Sequence, residues 1–307
     1  MTASTVAGVE PRALHSSRPD ISGAIFMILM LLSLLFSLGI LAVLIGTQLA
    51  SGLPVFAERG VDFLTSPLSS NPNEAGVVQG IVGTALLAMM VSLIAFPVGI
   101  LTAVYLEEYA SDNPLSRFID INIRNLAGVP SIVYGLLGLT IFVAFFKSIG
   151  VGTGRNVLSG GLTLAVLVLP LVIITSAEAI RAVPRGLRES GFGLGASRWQ
   201  VVRQLVLPSA APGILTGTVL ALSRALGETA ALILVGAILG SFSGGGSLAD
   251  LFTGPYAAMP TIVYDWARKP AQQFRLDTSA AILVLLAITI FANSIAIILR
   301  NRYDRRW

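Results

Sequence analysis

Val77–Leu106 reads VVQGIVGTALLAMMVSLIAFPVGILTAVYL, thirty consecutive residues without a charge. A helix needs about 20 apolar residues to cross a hydrocarbon core of about 30 Å, so this stretch spans a bilayer with residues to spare. It is too long and too continuous for a strand, and the strands of a membrane barrel alternate polarity at every second residue. Five more runs share its character, near Ala24–Ile45, Gly128–Phe146, Leu162–Ala182, Gly213–Leu239 and Ala280–Arg300. Six such runs predict an all-α, polytopic membrane bundle of six transmembrane helices. Pro97, inside the quoted run, predicts a kink of the kind that neighbouring helices tolerate in lipid.

Composition agrees. Of 307 residues 54% are hydrophobic and 12% charged, with a mean hydropathy of +0.83, whereas soluble domains carry about 25% charged residues. A water-soluble globule is excluded, and one membrane domain accommodates the whole length. The formal charge is +4. The basic residues sit at the edges of the apolar runs and form no dense tract, which reads as topology-setting charge and not as a nucleic-acid surface. Cysteine is absent and His15 is the only histidine, so there is no Cys/His metal cluster, thiol nucleophile or disulfide framework.

Topology follows from the Lys and Arg balance of the connections. With the N-terminus inside, Arg12, Arg18, Arg117, Arg124, Arg181, Arg185, Arg188, Arg198, Arg203, Arg300, Arg302, Arg305 and Arg306 fall on the cytoplasmic side. Arg59, Lys147, Arg155, Arg268, Lys269 and Arg275 fall outside, and Arg224 lies within a span. Both termini are therefore expected in the cytoplasm. Residues 1–20 read as a polar cytoplasmic tail without a signal-peptide cleavage pattern, with His15 as a solvated side chain. Residues 21–76 hold the first span and an outer loop whose Pro54, Pro67 and Pro72 argue against further spanning helix. Residues 77–300 form the main transmembrane domain, with a cytoplasmic loop at 181–212, and 301–307 are a basic tail. The outer segment Gly240–Thr278 carries Gly244-Gly245-Gly246, Pro255, Pro260, Pro270 and the interfacial aromatics Tyr264 and Trp266.

The motifs begin with an absence. A P-loop ATPase requires Gly-x-x-x-x-Gly-Lys-Ser/Thr, yet the only lysines are Lys147 and Lys269 and neither follows a glycine. If ATP drives this protein, another chain hydrolyses it. The 181–212 loop carries Glu189-Ser190-Gly191, then Gly195, then Leu205, Leu207 and Pro208. This reads as helix, glycine turn, helix: Gly195 permits a left-handed turn and Pro208 is expected to end the second helix. The competing reading is an interfacial amphipathic helix held to anionic lipid through Arg181, Arg185 and Arg188. Gly191–Ala196 also fits Gly-x-Gly-x-x-Gly/Ala, but no strand or βαβ unit surrounds it, so a dinucleotide site is excluded.

In the fifth span the run Leu222-Ser223-Arg224-Ala225-Leu226-Gly227-Glu228-Thr229-Ala230 places charge inside the membrane. Counting from Gly213 at 1.5 Å per residue sets Arg224 roughly 16 Å deep, where an arginine costs about 2.5 to 3.5 kcal/mol. Arg224 and Glu228 either neutralise each other at i,i+4 or serve an anion path, for which the guanidinium fork is suited. Gly213, Gly217, Ala221 and Ala225 form a small-residue stripe expected to seat a neighbouring helix. Glu107 and Glu108 read as a solvated helix end, because neighbours in a helix point apart.

The loop from Glu189 to Pro208 resembles the EAA loop of ABC importer permeases, with Ser190-Gly191 in place of two alanines. Arg224–Ala230 (RALGETA), Tyr105–Ala110 (YLEEYA), Asn125–Leu136 (NLAGVPSIVYGL) and Tyr264–Ala267 (YDWA) resemble PstA-type permease subunits of bacterial phosphate ABC importers, over roughly Val77 to the end. The resemblance implies a type I importer permease fold and a bacterial plasma-membrane location. It implies a PstC-type permease beside the chain, two PstB-type ATPase subunits beneath and a PstS-type phosphate-binding protein outside. This chain would bind no cofactor of its own, ATP and Mg being used by the ATPase, and its partners would include membrane lipid but no nucleic acid. By the same resemblance Arg224 and Glu228 line the substrate path, while Glu189, Ser190, Gly191, Gly195, Leu205, Leu207 and Pro208 belong to the ATPase-docking loop. An ion-coupled secondary anion carrier, working through Glu228 without an ATPase, is the alternative from another class.

Overall fold

The computed structural model describes residues 21–111, 113–237 and 248–304; the N-terminal tail with His15, the Gly244–Gly246 run and Arg305 and Arg306 lie outside them. The described residues form helices and no strand. Among the described residues six helical runs are long and apolar enough to cross a membrane: Ile21–Arg59, Val78–Tyr109, Ser131–Ser148, Val157–Arg181, Arg198–Leu226 and Gln272–Arg302. The all-α, six-span expectation holds, with shifted boundaries.

Described residues up to Thr47 and those from Gln48 onward form two separate compact units. Helix α1, Ile21–Arg59, supplies the whole of the first and enters the second. Its second part differs from the sequence expectation, for the helix passes through Pro54 and ends only at Gly60, whose φ of +53° is left-handed. Packing overrides the proline here. Gly52 lies so close to the last span that a Cβ on it would sit 2.9 Å from the backbone nitrogen of Ala280, and Val55 is buried.

In the second unit α2 (Asp62–Thr65) precedes α3 (Val78–Val104), which continues as a π-turn at Tyr105–Tyr109. The amphipathic α4 (Pro114–Ala127) links it to α5 (Ser131–Leu137), a π-turn at Gly138–Val143 and α6 (Ala144–Ser148). Asn113 caps α4, its side chain accepting from the Ser116 amide, and Pro114 supplies a favoured first residue. Helix α7 (Val157–Arg181), capped in the same way by Asn156, is the most deeply buried span.

Next come α8 (Arg185–Gly193), α9 (Arg198–Val201), a π-turn at Val202–Val206 and α10 (Leu207–Leu226). Then follow the short α11 (Ala230–Val235), α12 (Leu248–Thr253), α13 (Met259–Ala267) and the final helix α14 (Gln272–Asp304). Leu87, Val91, Val168, Val172 and Ala221 join α3, α7 and α10 in the central core. A second cluster at one end stacks Phe63, Trp266 and Phe274, with ring centroids 6.2 and 5.8 Å apart along the row. A third, with Ile180, Val201, Val202, Val206 and Ile214, roots the 181–212 loop at the other end.

Candidate functional site

The small-residue stripe of the fifth span does what its spacing predicts. Gly213 faces Ala179, whose Cβ lies 2.7 Å from where a Cβ on the glycine would sit, and Gly217 is packed directly on Thr175. Both contacts are with α7, so α10 is seated against the most buried span, while α14 packs on it as well, Ser223 donating to Asn293 and Arg300 reaching the Thr216 hydroxyl at 3.5 Å. About 60 to 100° round the helix from the glycine stripe lie Thr216, Leu220 and Arg224, all exposed, spaced by four residues along one face.

The span itself is placed differently from the expected Gly213–Leu239. The helix starts in the loop at Arg198, runs through the π-turn without interruption and stops at Leu226. Arg224 therefore stands in the last turn of a helix and not at its middle, with Glu228 two residues beyond the end. Gly227, with a high cost in a helix, and the β-branched Thr229 interrupt it, the Gly227 and Glu228 amides closing the turn on Ser223 and Ala225 at 3.2 and 3.3 Å. Cationic Arg224 thus complements the negative end of the α10 dipole. Helix then resumes at Ala230 and ends at Gly236, with φ of +91°.

The break separates the charged pair. Beyond Leu226 the i,i+4 geometry no longer applies, and among the described residues neither Arg224 nor Glu228 forms an ion pair. Mutual neutralisation is not what holds Arg224 in place. Its charge is within electrostatic reach of Tyr134, whose hydroxyl donates to the Leu126 carbonyl at 2.8 Å. Ser223, its neighbour, donates to Asn293 Oδ1 at 2.7 Å and ties the end of α10 to α14. The segment after the break is held by close approach, a Cβ on Gly135 of α5 falling 2.8 Å from the Ala231 Cα.

In the loop, the predicted helix–glycine–helix order is present and Gly195 has φ of +80°. The predicted residues divide by position. Glu189, Ser190 and Gly195 are exposed, whereas Gly191 is buried between α8 and the second helix, with Leu205 Cδ1 and Val201 Cγ2 at 2.8 and 2.9 Å from a hypothetical Cβ. Leu205, Leu207 and Pro208 are half-buried supports. Pro208 does not end the second helix as expected; it occupies the first turn of α10. The preceding π-turn has already shifted the hydrogen-bond register, and a proline in the first helical turn leaves no additional amide unpaired. The most exposed large apolar side chain among the described residues, Leu194 at 90%, flanked by exposed Phe192 and Trp199, was missed in the sequence because a single leucine carries no pattern.

Glu107 and Glu108 also differ from expectation. They are not a solvated end: Glu107 pairs with Arg181, and the buried Glu108 accepts from Arg188 Nη2 at 2.8 Å and Nε at 3.0 Å. A separation of 74 and 80 residues hides such pairs from a single sequence.

A chain of the bacterial alginate ABC transporter, solved in complex with an alginate pentasaccharide-bound periplasmic protein, matches this fold with a TM-score of 0.62 at 17% identity, over 90% of this chain and 96% of that one. The fold is that of a type I ABC importer permease. The chain belongs to the family of binding-protein-dependent transport system inner membrane components, whose model matches residues 95–307. Among its relatives is the phosphate transport system permease protein PstA 1 of Mycobacterium tuberculosis (strain ATCC 25618 / H37Rv), 34% identical over 75% of this chain and 71% of that protein. The probable ABC transporter permease protein YqgH of Bacillus subtilis (strain 168) is 40% identical over 60% of this chain, which spans 62% of that relative's length. The resemblance to PstA-type permeases read from the motifs is borne out by these relatives.

Proposed function

We propose that this chain is the PstA-type permease subunit of an ATP-driven importer of inorganic phosphate, forming half of the translocation path in the bacterial plasma membrane with both termini in the cytoplasm. A PstC-type permease supplies the other half, a PstS-type binding protein delivers phosphate from outside, and two PstB-type ATPase subunits consume ATP and Mg beneath the 181–212 loop. The observation that carries the reading is Arg224, exposed at the break in the fifth span and joined to no carboxylate among the described residues. A guanidinium within a membrane span is too costly to keep without an interaction that uses it, and its planar fork matches a phosphate oxygen pair. Glu228 borders the same break and supplies the opposite charge, against which the anion is released. Glu189, Ser190, Gly195 and the apolar tip at Leu194 form the docking face, with Gly191, Leu205, Leu207 and Pro208 holding its shape.

ATP-driven closure of the partners moves the loop, and the path changes the side to which it opens; phosphate affinity must differ between the two states for net import. The test is reconstitution. Vesicles holding both permeases and the ATPase, with the binding protein outside, should accumulate phosphate only with ATP inside, and this chain alone should be inert. Uptake by the chain alone under a proton gradient would replace the reading with the secondary carrier.

A further inference from the structure

Three consecutive residues at the end of the second span are each engaged by a different arginine of the loop region. Glu107 pairs with Arg181 at the end of α7, Glu108 with Arg188 of α8, and the Tyr109 ring lies 5.2 Å from the Arg198 guanidinium of α9. The middle contact is the most constrained. Arg188 gives Nε and Nη2 to Glu108 Oε1, Nη1 to the Val183 carbonyl at 2.6 Å and Nη2 also to the Ile180 carbonyl at 2.8 Å. The Ile180 carbonyl lies in the last turn of α7, where it also accepts the Val183 amide at 3.2 Å, and Val183 belongs to the turn that leads from α7 into α8. One partly buried guanidinium therefore fastens three elements together, the end of the second span, the turn after α7 and α8, and its fork geometry fixes their angles.

The acidic pair sits in the π-turn Tyr105–Tyr109, a local widening of the kind found at functional positions in helices, and the chain turns extended immediately after it at Ala110. Helix α8 cannot tilt without drawing on Glu108, and Glu108 is continuous with α3. Coupling between distant sites needs contiguous, rigidly joined elements of this sort.

We propose that Glu108 and Arg188 form the joint through which displacement of the 181–212 loop is delivered to the second span. Glu108 is then a positioning residue for transport that takes no part in holding the ATPase. The inference rests on the reading of that loop as the docking element, and the two can fail separately. The experiment compares wild type, Glu108→Gln and Gly195→Val in the complete reconstituted transporter, measuring ATPase association, ATP turnover and phosphate delivered per ATP. For Glu108→Gln the ATPase should associate and turn over ATP as in wild type, while phosphate per ATP falls about tenfold. Unchanged phosphate per ATP overturns the joint, and so does loss of ATPase association, which would make the pair part of the docking surface. If Glu108→Gln does not reach the membrane, Glu108→Asp, which keeps the charge but shortens the reach, is scored by the same criteria. Wild-type ATPase association in Gly195→Val would instead remove the docking reading, whatever Glu108→Gln shows.

Discussion

Gly195 permits the sharpest separation of backbone geometry from side-chain contact in the docking loop. Its φ of +80° is left-handed, and a Cβ placed on it would meet nothing within 4 Å. Replacement by valine therefore introduces no clash, only the cost of holding a β-branched residue in that region, roughly 1 to 2 kcal/mol for an ordinary side chain and at the upper end here. If only the native turn presents the loop correctly, its population relative to relaxed forms falls by about 5- to 30-fold, since 1.4 kcal/mol is tenfold. Gly193 is the control: it is two residues away, equally open, and helical, so alanine there should favour α8 by about 1 kcal/mol. The assay is titration of the purified ATPase onto the permease pair in nanodiscs. Gly195→Val should weaken association by the stated factor, Gly195→Asn less because asparagine tolerates this region, and Gly193→Ala not at all. Wild-type association for Gly195→Val, or equal losses for Gly193→Ala, would refute the reasoning.

Gly217→Val forces a branched side chain into α7 at Thr175, so the detergent-solubilised protein should lose about 1 to 3 kcal/mol of stability, seen as a lower thermal midpoint; an unchanged midpoint would contradict the packing. At the end opposite the loop, Arg59 lies 3.7 Å from the fully buried Asp277, whose two oxygens accept no hydrogen bond, while Arg59 itself donates to the Pro72 and Ala75 carbonyls. Arg59→Ala should strand that carboxylate at a cost of about 3 kcal/mol and speed hydrogen exchange in residues 60–76. Adding Asp277→Asn should recover part of the loss; identical effects of Asp277→Asn with and without Arg59 would show that the two are not coupled.

Much of the fold is legible because a bilayer imposes it. Thirty uncharged residues from Val77 leave a helix as the only economical form, and the same argument finds the other spans to within several residues. The glycine turn at Gly195 and the packing stripe at Gly213 and Gly217 were legible because each depends on local conformation or on spacing along one helix. Boundaries set by tertiary contact were not. Pro54 argues for a helix end, but Gly52 and Val55 pack the helix onward; Pro208 argues for another, but a π-turn ahead of it absorbs the change of register. The break at Gly227 was hidden for the opposite reason, since apolar residues continue on both sides. Glu107 and Glu108 show the limit most clearly, because adjacency along the chain says how two side chains diverge and nothing about which arginines lie 74 and 80 residues away.

The central claim is that Arg224 meets the transported anion, and phosphate uptake by Arg224→Gln tests it most directly. The complete transporter carrying this change should assemble and bind its ATPase as in wild type. A hydrogen bond to a charged group contributes about 1.5 to 3 kcal/mol, so phosphate import should fall by roughly 10- to 150-fold, with Arg224→Lys intermediate because it keeps charge but not the fork. Import at the wild-type rate by Arg224→Gln would contradict the account.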